Sequence, residues 1–310
     1  MKFAFVFPGQ GSQAVGMMAA YGDDPIIRET FAEASGALGF DLWDMVANGP
    51  ADVLNQTVNT QPAMLAAAVA VYRLWLARGG HVPALMAGHS LGEYSALTCA
   101  GALAFADAIR LVRLRAEAMQ SAVPEGVGAM AAVLGLDDDG VRAVCAEAAR
   151  DEVLEAVNFN SPGQVVIAGN KAAVERGMAL AKEKGAKRAL PLPVSVPSHC
   201  ALMKPAAEQL RAALATIEVR AANVPVLHNA DVAAHDTADA IRDALARQLY
   251  SPVRWVESMY ALRDQGVQLI AECGPGKVLA GLNKRTLEGV PTVAIADAAT
   301  LADVLEKTKA

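Results

Sequence analysis

The stretch Ala87-Gly88-His89-Ser90-Leu91-Gly92-Glu93 contains the pattern Gly-x-Ser-x-Gly, and the interpretation of the whole chain starts from it. An apolar run, Pro83 to Ala87, precedes the pattern, and helix-forming residues follow it. A short strand, a serine between two glycines and a helix are typical of a nucleophile elbow, a tight turn that exposes the serine. The bare pattern is also compatible with an ordinary glycine-rich turn, because five-residue motifs match by chance. Together with its flanks it favours Ser90 as a nucleophile.

Length and composition limit the classes of protein that this chain can belong to. Its 310 residues, 54% of them hydrophobic, suit one large α/β domain with or without a smaller one. No apolar run approaches the roughly 18 residues of a membrane span, so we expect no membrane association. The net charge of −6 argues against a nucleic-acid partner. The four cysteines are scattered without metal-like spacing, which indicates a cytoplasmic protein with no metal site.

Strand and helix patterns alternate along most of the chain, which predicts an α/β fold. We expect residues 1–124 and 194–310 to form one large catalytic domain, α/β-hydrolase-like, with a mostly parallel sheet. Within it, helices are predicted from Gln61 to Arg78 and from Ser90 to Cys99. The order βαββαβ over residues 125–193 predicts an inserted ferredoxin-like small domain. A proline-rich connector then leads back to the large domain.

A nucleophilic serine needs a base, and the sequence offers more than one histidine for that role. His89 adjoins Ser90, and neighbours on a tight turn usually point apart. His199, at the return to the large domain, is the favoured candidate, and His228 is the second. It also remains open that neither histidine contacts the serine. No acidic residue between Ser90 and His199 stands out as the third member of a catalytic triad.

Further motifs show a resemblance that covers essentially the whole chain. They are Phe7-Pro8-Gly9-Gln10-Gly11-Ser12-Gln13, Gly88-His89-Ser90-Leu91-Gly92-Glu93, Pro197-Ser198-His199 and Gly274-Pro275-Gly276. In this order they resemble the malonyl-CoA:acyl carrier protein transacylase family, the free-standing bacterial acyltransferases of fatty-acid synthesis. Several ordered motifs together are much more specific than the elbow alone.

The resemblance implies a role for the serine and for four residues around it. Ser90 is then the nucleophile and His199 its base, with no acidic third residue. The main-chain carbonyl of Gln248 orients the histidine. Gln10 and Leu91 form the oxyanion hole, both through backbone N–H groups, which stabilise the negative charge of the tetrahedral intermediate.

By the same resemblance, Arg115 binds the carboxylate of the malonyl group. A planar guanidinium can donate two parallel hydrogen bonds to a carboxylate, which a lysine cannot reproduce. Arg110 and Arg113 on the same predicted helix are interpreted as surface charges. His89 and Asn160 are possible residues of the same pocket, although an Asn before a Pro-Gly turn is often only a turn residue.

The reaction that the resemblance implies transfers a malonyl group from coenzyme A to the phosphopantetheine thiol of acyl carrier protein. It passes through a malonyl-serine ester and uses no metal or redox cofactor. Acyl carrier proteins are acidic, so a basic rim is expected, unless these charges are ordinary solvated helix faces: Lys182, Lys184, Lys187, Arg188, Lys277, Lys284 and Arg285. Two alternatives remain: a serine esterase or thioesterase, in which water takes the acyl group, and a non-catalytic acyl-binding module of a larger synthase.

Overall fold

The computed structural model describes residues 1–194 and 196–309. Ser195 of the predicted connector and Ala310, the last residue of the predicted large domain, therefore lie outside the described residues. The strands are β1 (Phe3–Phe7), β2 (Leu85–Gly88), β3 (Gly128–Leu134), β4 (Leu154–Ser161), β5 (Gln164–Asn170), β6 (Arg188–Pro191), β7 (Val226–Leu227), β8 (Leu269–Cys273) and β9 (Thr292–Ile295).

Helices follow almost every strand. They are α1 (Pro25–Leu38), α2 (Leu42–Asn48), α3 (Ala51–Leu54), α4 (Thr57–Ala77), α5 (Gly92–Cys99), α6 (Phe105–Ala122), α7 (Asp138–Ala149), α8 (Lys171–Glu183), α9 (Lys204–Leu214), α10 (Ala238–Gln248), α11 (Trp255–Asp264), α12 (Val278–Thr286) and α13 (Ala298–Thr308). Short 3₁₀ helices cover Ala19–Tyr21 and Ala201–Met203.

Within the described residues, the larger sheet has five strands in the order β7-β2-β1-β8-β9, and its strand pairs are parallel. The central strands β1 and β2 are buried along their whole length, as expected for a parallel sheet covered on both faces. Phe7 pairs with Gly88, so the loops after β1 and β2 leave the same edge side by side. The predicted α/β fold with a mostly parallel sheet is confirmed.

The smaller sheet is antiparallel, with four strands in the order β4-β5-β3-β6. Helices α7 and α8 pack on it around a separate hydrophobic cluster that includes Val133, Val144 and Ile167. Val253, before α11, ties the two sheets together, because its N–H donates to Val157 O at 2.8 Å and its carbonyl accepts from Phe159 N at 3.0 Å. The chain therefore forms two sheets with separate cores that meet near β4.

The start of α4 differs from the prediction. The sequence predicts a start at Gln61, but the helix begins at Thr57 and contains Pro62 in its interior. A proline has no N–H for the carbonyl four residues earlier, here that of Val58. Arg113 of α6 donates to this carbonyl through Nη1 at 3.2 Å. A contact between helices replaces the missing hydrogen bond, so Arg113 is more than the surface charge that we expected.

Candidate active site

The elbow after β2 holds Ser90 in a conformation that few non-glycine residues adopt. Its φ is +51°, in the left-handed region, and α5 begins only at Gly92, not at Ser90 as predicted. A Cβ on Gly88 would lie 1.9 Å from Gly92 O, and a Cβ on Gly92 would lie 2.0 Å from Phe7 O. Both glycines are therefore required by close backbone packing, which pushes the serine outward.

His199 lies directly against Ser90. Its Nε2 is 2.7 Å from Ser90 Oγ, and its Nδ1 is 2.8 Å from the backbone oxygen of Gln248. A carbonyl can only accept, so Nδ1 carries the hydrogen and Nε2 accepts from the serine hydroxyl. His199 also has a left-handed φ of +66°, and its N–H donates to Leu249 O at 3.0 Å. The geometry is that of a serine–histidine pair oriented by a main-chain carbonyl.

Burial makes His199 a neutral base. The histidine is 1% exposed, and desolvation lowers its pKa from 6.5 to about 3, with a further contribution from the nearby Arg115 cation. The imidazole is consequently unprotonated at neutral pH, which is the form that can accept the proton of the Ser90 hydroxyl.

Two backbone N–H groups beside Ser90 are unused. Neither that of Gln10 nor that of Leu91 makes a hydrogen bond within residues 1–194 and 196–309, and both residues line the cavity that contains Ser90. The loop of Gln10 lies against the elbow because Gly9 has no side chain, since a Cβ there would be 2.6 Å from His89 O. Two free donors next to a nucleophile suit an oxyanion.

Arg115 of α6 brings a buried cation to the same point. It is 1% exposed, and its Nη2 is 3.3 Å from Ser90 Oγ. Gln61 Oε1 accepts from Nη1 at 2.8 Å, Gln248 Oε1 accepts from Nη2 at 3.1 Å, and Nε has no partner. No acidic side chain in the described part of the chain forms an ion pair with Arg115. A buried guanidinium without an anion is costly, so the site favours an anionic ligand here.

These groups open into one cavity of about 310 Å³ between the two sheets. Strands β3 and β4 of the smaller sheet, the loops after β1 and β2 of the larger sheet, helices α4 and α6 and the connector contribute to its walls. The lining residues are Gln10, Asn55, Gln56, Thr57, Gln61, His89, Ser90, Leu91, Arg115, Met119, Gln120, Met130, Asn158, Leu192, Pro193, Val194, Val196, Ser198 and His199.

His89 and Asn160 form a pair at one side of this cavity. His89 Nε2 is 2.7 Å from Asn160 Oδ1, and the imidazole packs on Trp255 with ring centroids 5.4 Å apart. Desolvation lowers the pKa of His89. His89 lines the cavity, whereas Asn160 lies behind it, and Asn158 of the same strand reaches the cavity wall. His89 contacts Asn160 and Trp255, whereas the serine hydroxyl contacts His199.

The sequence interpretation missed a group of buried polar residues behind the elbow. His228, the second candidate base, contacts Glu93 rather than Ser90, with Nδ1 2.7 Å from Oε1. Asn229 contacts the elbow itself, because its Oδ1 accepts from Ser90 N at 2.8 Å. A signal was present for both new residues: Glu93 is a charged residue inside an apolar helix start, and Asn229 follows a strand at the carboxyl edge of the sheet.

Within the described residues, no group of three or more His, Cys, Asp or Glu side chains is arranged to hold a metal ion. No helix in this part of the chain is long and apolar enough to span a membrane.

The elbow, the histidine and the two-sheet fold suit a serine-dependent acyltransferase or hydrolase. A family model for the acyl transferase domain matches residues 4–307, and the chain belongs to this family. It is 60% identical to the malonyl CoA-acyl carrier protein transacylase of Escherichia coli K12 over 98% of this chain and 99% of the relative. The predicted resemblance is thus confirmed.

Solved structures agree with this assignment. The malonyl CoA-acyl carrier protein transacylase of Coxiella burnetii superposes with a TM-score of 0.98 at 48% identity, over 99% of this chain and 98% of that one. A malonyl-transacylase in complex with its type II PKS acyl-carrier protein superposes with a TM-score of 0.97 at 55% identity, over 99% of this chain and all of that one (100%).

Proposed function

We propose that this protein transfers a malonyl group from malonyl-CoA to the phosphopantetheine thiol of an acyl carrier protein, for fatty-acid synthesis. The names of the relatives support the substrates. The observation that carries the proposal is Arg115, a buried cation that lies 3.3 Å from Ser90 Oγ and has no carboxylate partner among residues 1–194 and 196–309. A malonyl thioester presents a carboxylate two bonds beyond the carbonyl that the serine attacks. Acetyl-CoA would leave the guanidinium unpaired, which disfavours it.

In the first half of the reaction, Ser90 Oγ attacks the thioester carbonyl while His199 Nε2 takes its proton. Negative charge develops on the carbonyl oxygen, which the N–H groups of Gln10 and Leu91 bind. The intermediate collapses to a malonyl-serine ester, the C–S bond breaks, and His199 returns the proton to the coenzyme A thiol. The carbonyl of Gln248 keeps the imidazole in the tautomer that these transfers need.

In the second half, the thiol of the carrier protein attacks the malonyl ester with His199 as base, and Ser90 is released. All proton and acyl transfers are then made by side chains and backbone N–H groups of the chain, so we propose that no cofactor is required. His89 completes the pocket wall, and Asn160 holds it in place.

The domain division is part of the proposal. Residues 1–124 and 194–310 would form an α/β-hydrolase-like domain, and residues 125–193 a ferredoxin-like insert. The element order β3-α7-β4-β5-α8-β6 and the sheet order β4-β5-β3-β6 support the second assignment. We also propose a cytoplasmic location, on the basis of the cysteines, which are all unbridged.

Mass spectrometry of the intact protein tests the function. After incubation with malonyl-CoA, the wild type should carry one malonyl group, and Ser90→Ala should carry none. Arg115→Ala should lower malonyl loading by about 10²–10³-fold, the usual loss for a charged hydrogen bond to the transition state, while acetyl loading stays level or rises. Arg110→Ala is the matched control, because Arg110 is on the same helix but exposed and paired with Asp107.

Other outcomes would contradict the proposal in distinct ways. Rapid coenzyme A release without carrier protein would indicate a hydrolase. Equal loss of malonyl and acetyl loading in Arg115→Ala would remove the assigned role of the arginine. An unlabelled wild type would indicate a non-catalytic module.

A further inference from the structure

Glu93, in the first turn of α5, is a buried carboxylate that the reaction above does not use. It is fully buried and accepts hydrogen bonds from His228 Nδ1 at 2.7 Å, Asn229 N at 2.8 Å and Gln248 Nε2 at 3.0 Å. No Lys or Arg in the described part of the chain forms an ion pair with it. A buried carboxylate destabilises a fold unless it is well hydrogen-bonded, and breaking such a network is strongly destabilising.

Asn229 connects this carboxylate to both sides of the elbow. Its backbone N–H is held by Glu93, and its side chain bridges the turn: Oδ1 accepts from Ser90 N at 2.8 Å, and Nδ2 donates to Gly88 O at 2.6 Å. The position of the Asn229 backbone thus determines where the strained serine peptide is held.

Gln248 connects the same carboxylate to the other groups of the site. Its Nε2 donates to Glu93 and, at 2.9 Å, to Ser90 O, while its Oε1 accepts from Arg115. Its backbone oxygen accepts from His199 Nδ1. A carboxylate only accepts, so it requires the nitrogen of the Gln248 amide to face Glu93 and the oxygen to face Arg115. The flipped amide would place two acceptors together and two donors together.

We propose that Glu93 is a positioning residue of this site. Through Asn229 and Gln248, it fixes the relative positions of Ser90, His199 and Arg115. The residue does not line the cavity, and its side chain contacts neither Ser90 nor His199, so the carboxylate acts on the reaction through these two neighbours. The role in turnover rests on the proposed function, whereas the role in holding Ser90 against His199 does not.

The variant Glu93→Gln separates this role from simple space filling. Glu93 leaves His228 with its hydrogen on Nδ1 and its buried Nε2 without a partner. In the variant, the amide nitrogen can donate to Nδ1 of the other tautomer, and the amide oxygen can accept from Asn229. The same amide oxygen can still accept from Gln248 Nε2, but a neutral amide oxygen is a weaker acceptor than a carboxylate oxygen, so Asn229 and Gln248 are held less firmly. Glu93→Ala removes the acceptors altogether.

Two measurements test the proposal: kcat and KM for malonyl transfer, and the rate at which a small fluorophosphonate labels Ser90. The label needs the serine, its base and the oxyanion donors but no carboxylate recognition. We expect kcat to fall about tenfold in Glu93→Gln and about 10²-fold in Glu93→Ala, as for small displacements of reacting groups. KM should stay within about threefold, and the labelling rate should fall in parallel with kcat.

Glu272→Gln is the matched control. Glu272 is also a fully buried carboxylate, but it accepts from the backbone N–H groups of Leu279 and Ala280 and does not line the cavity. It should lose stability without losing the labelling rate of the folded protein.

A folded Glu93→Gln or Glu93→Ala with wild-type kcat and labelling overturns the proposal, and so does a loss confined to KM. If Glu93→Ala does not fold, Glu93→Gln decides alone. Should the wild type transfer no malonyl group, the proposed function fails, and the labelling rates still decide the role of Glu93.

Discussion

The two members of the Ser90–His199 pair occupy similar backbone conformations but reach them by different means. Both have a left-handed φ, +51° and +66°. Ser90 lies on a tight turn whose glycines leave no room for side chains, Gly88 against Gly92 and Gly92 against Phe7 of β1. His199 follows a connector and is held by Gln248 and Leu249, residues about fifty positions further along the chain. Strain of this kind persists only where the surroundings enforce it.

The elbow of Ser90 and the position of His199 should therefore tolerate different substitutions. The elbow depends on the absence of atoms, so the addition of one methyl group disrupts it. The position of His199 depends on two carbonyl acceptors at the end of α10, Gln248 O and Leu249 O. It is therefore sensitive to the groups that hold this end of the helix. Perturbations of the two halves should therefore differ in kind as well as in size.

The largest effect is expected from Gly92→Ala, which adds a methyl group to the elbow of Ser90. The new Cβ would lie 2.0 Å from Phe7 O, so β1, the Gln10 loop or the elbow must shift. We expect a loss of stability of about 3 kcal/mol or more, typical of overpacking against backbone, and no detectable acyl transfer. Thermal melts and malonyl loading measure both quantities.

Gly281→Ala is the control for this substitution. Gly281 is also in a helix, α12, but a Cβ there meets nothing within 4 Å. It should be neutral or stabilising by a few tenths to about 1 kcal/mol. Equal stability of the two variants would show that the elbow does not depend on close packing.

The next largest effect is expected from His199→Ala, which removes the imidazole base and leaves the elbow intact. Loss of a general base costs about 10²–10⁴-fold in rate. The rate of malonyl loading, measured by mass spectrometry of quenched reactions, should fall by that factor, while the thermal stability stays unchanged or rises. His81→Ala, at an exposed turn, should have no effect. Loading within about tenfold of wild type would mean that another group serves as base.

Counted per pH unit, the smallest effect is a pH dependence of stability that His199 imposes. Since burial lowers its pKa from 6.5 to about 3, the folded protein keeps it neutral where the unfolded chain protonates it. The free energy of unfolding should therefore decrease as pH falls from 6.5 toward 3, with a contribution of about 1.4 kcal/mol per pH unit from this group.

Urea denaturation of wild type and His199→Gln at several pH values measures that contribution as the difference between the two slopes. Malonyl loading should also have no acidic limb near pH 6.5. A wild-type limb at that pH, or identical slopes, would show that His199 titrates normally.

The larger architecture was predictable because it depends on short-range patterns. Alternating apolar strands and helices indicated the parallel sheet, and the Gly-x-Ser-x-Gly pattern indicated the turn after β2. The errors fall where a distant contact overrides local preference. Helix α4 starts before Pro62 because Arg113, on another helix, satisfies the carbonyl that proline leaves free.

The sequence alone determined the two-sheet fold class, the position of Ser90 and the family to which the chain belongs, since these follow from residues close together in the chain. Only the tertiary structure decided which histidine faces the serine, why no carboxylate touches it, and how Glu93 connects to the site. Hydrogen bonds across more than a hundred residues, such as those of Glu93 with Asn229 and Gln248, depend on the packed positions of separate elements. Burial then makes His199 a neutral base, and the same packing encloses Arg115, which has no acidic partner in the described part of the chain.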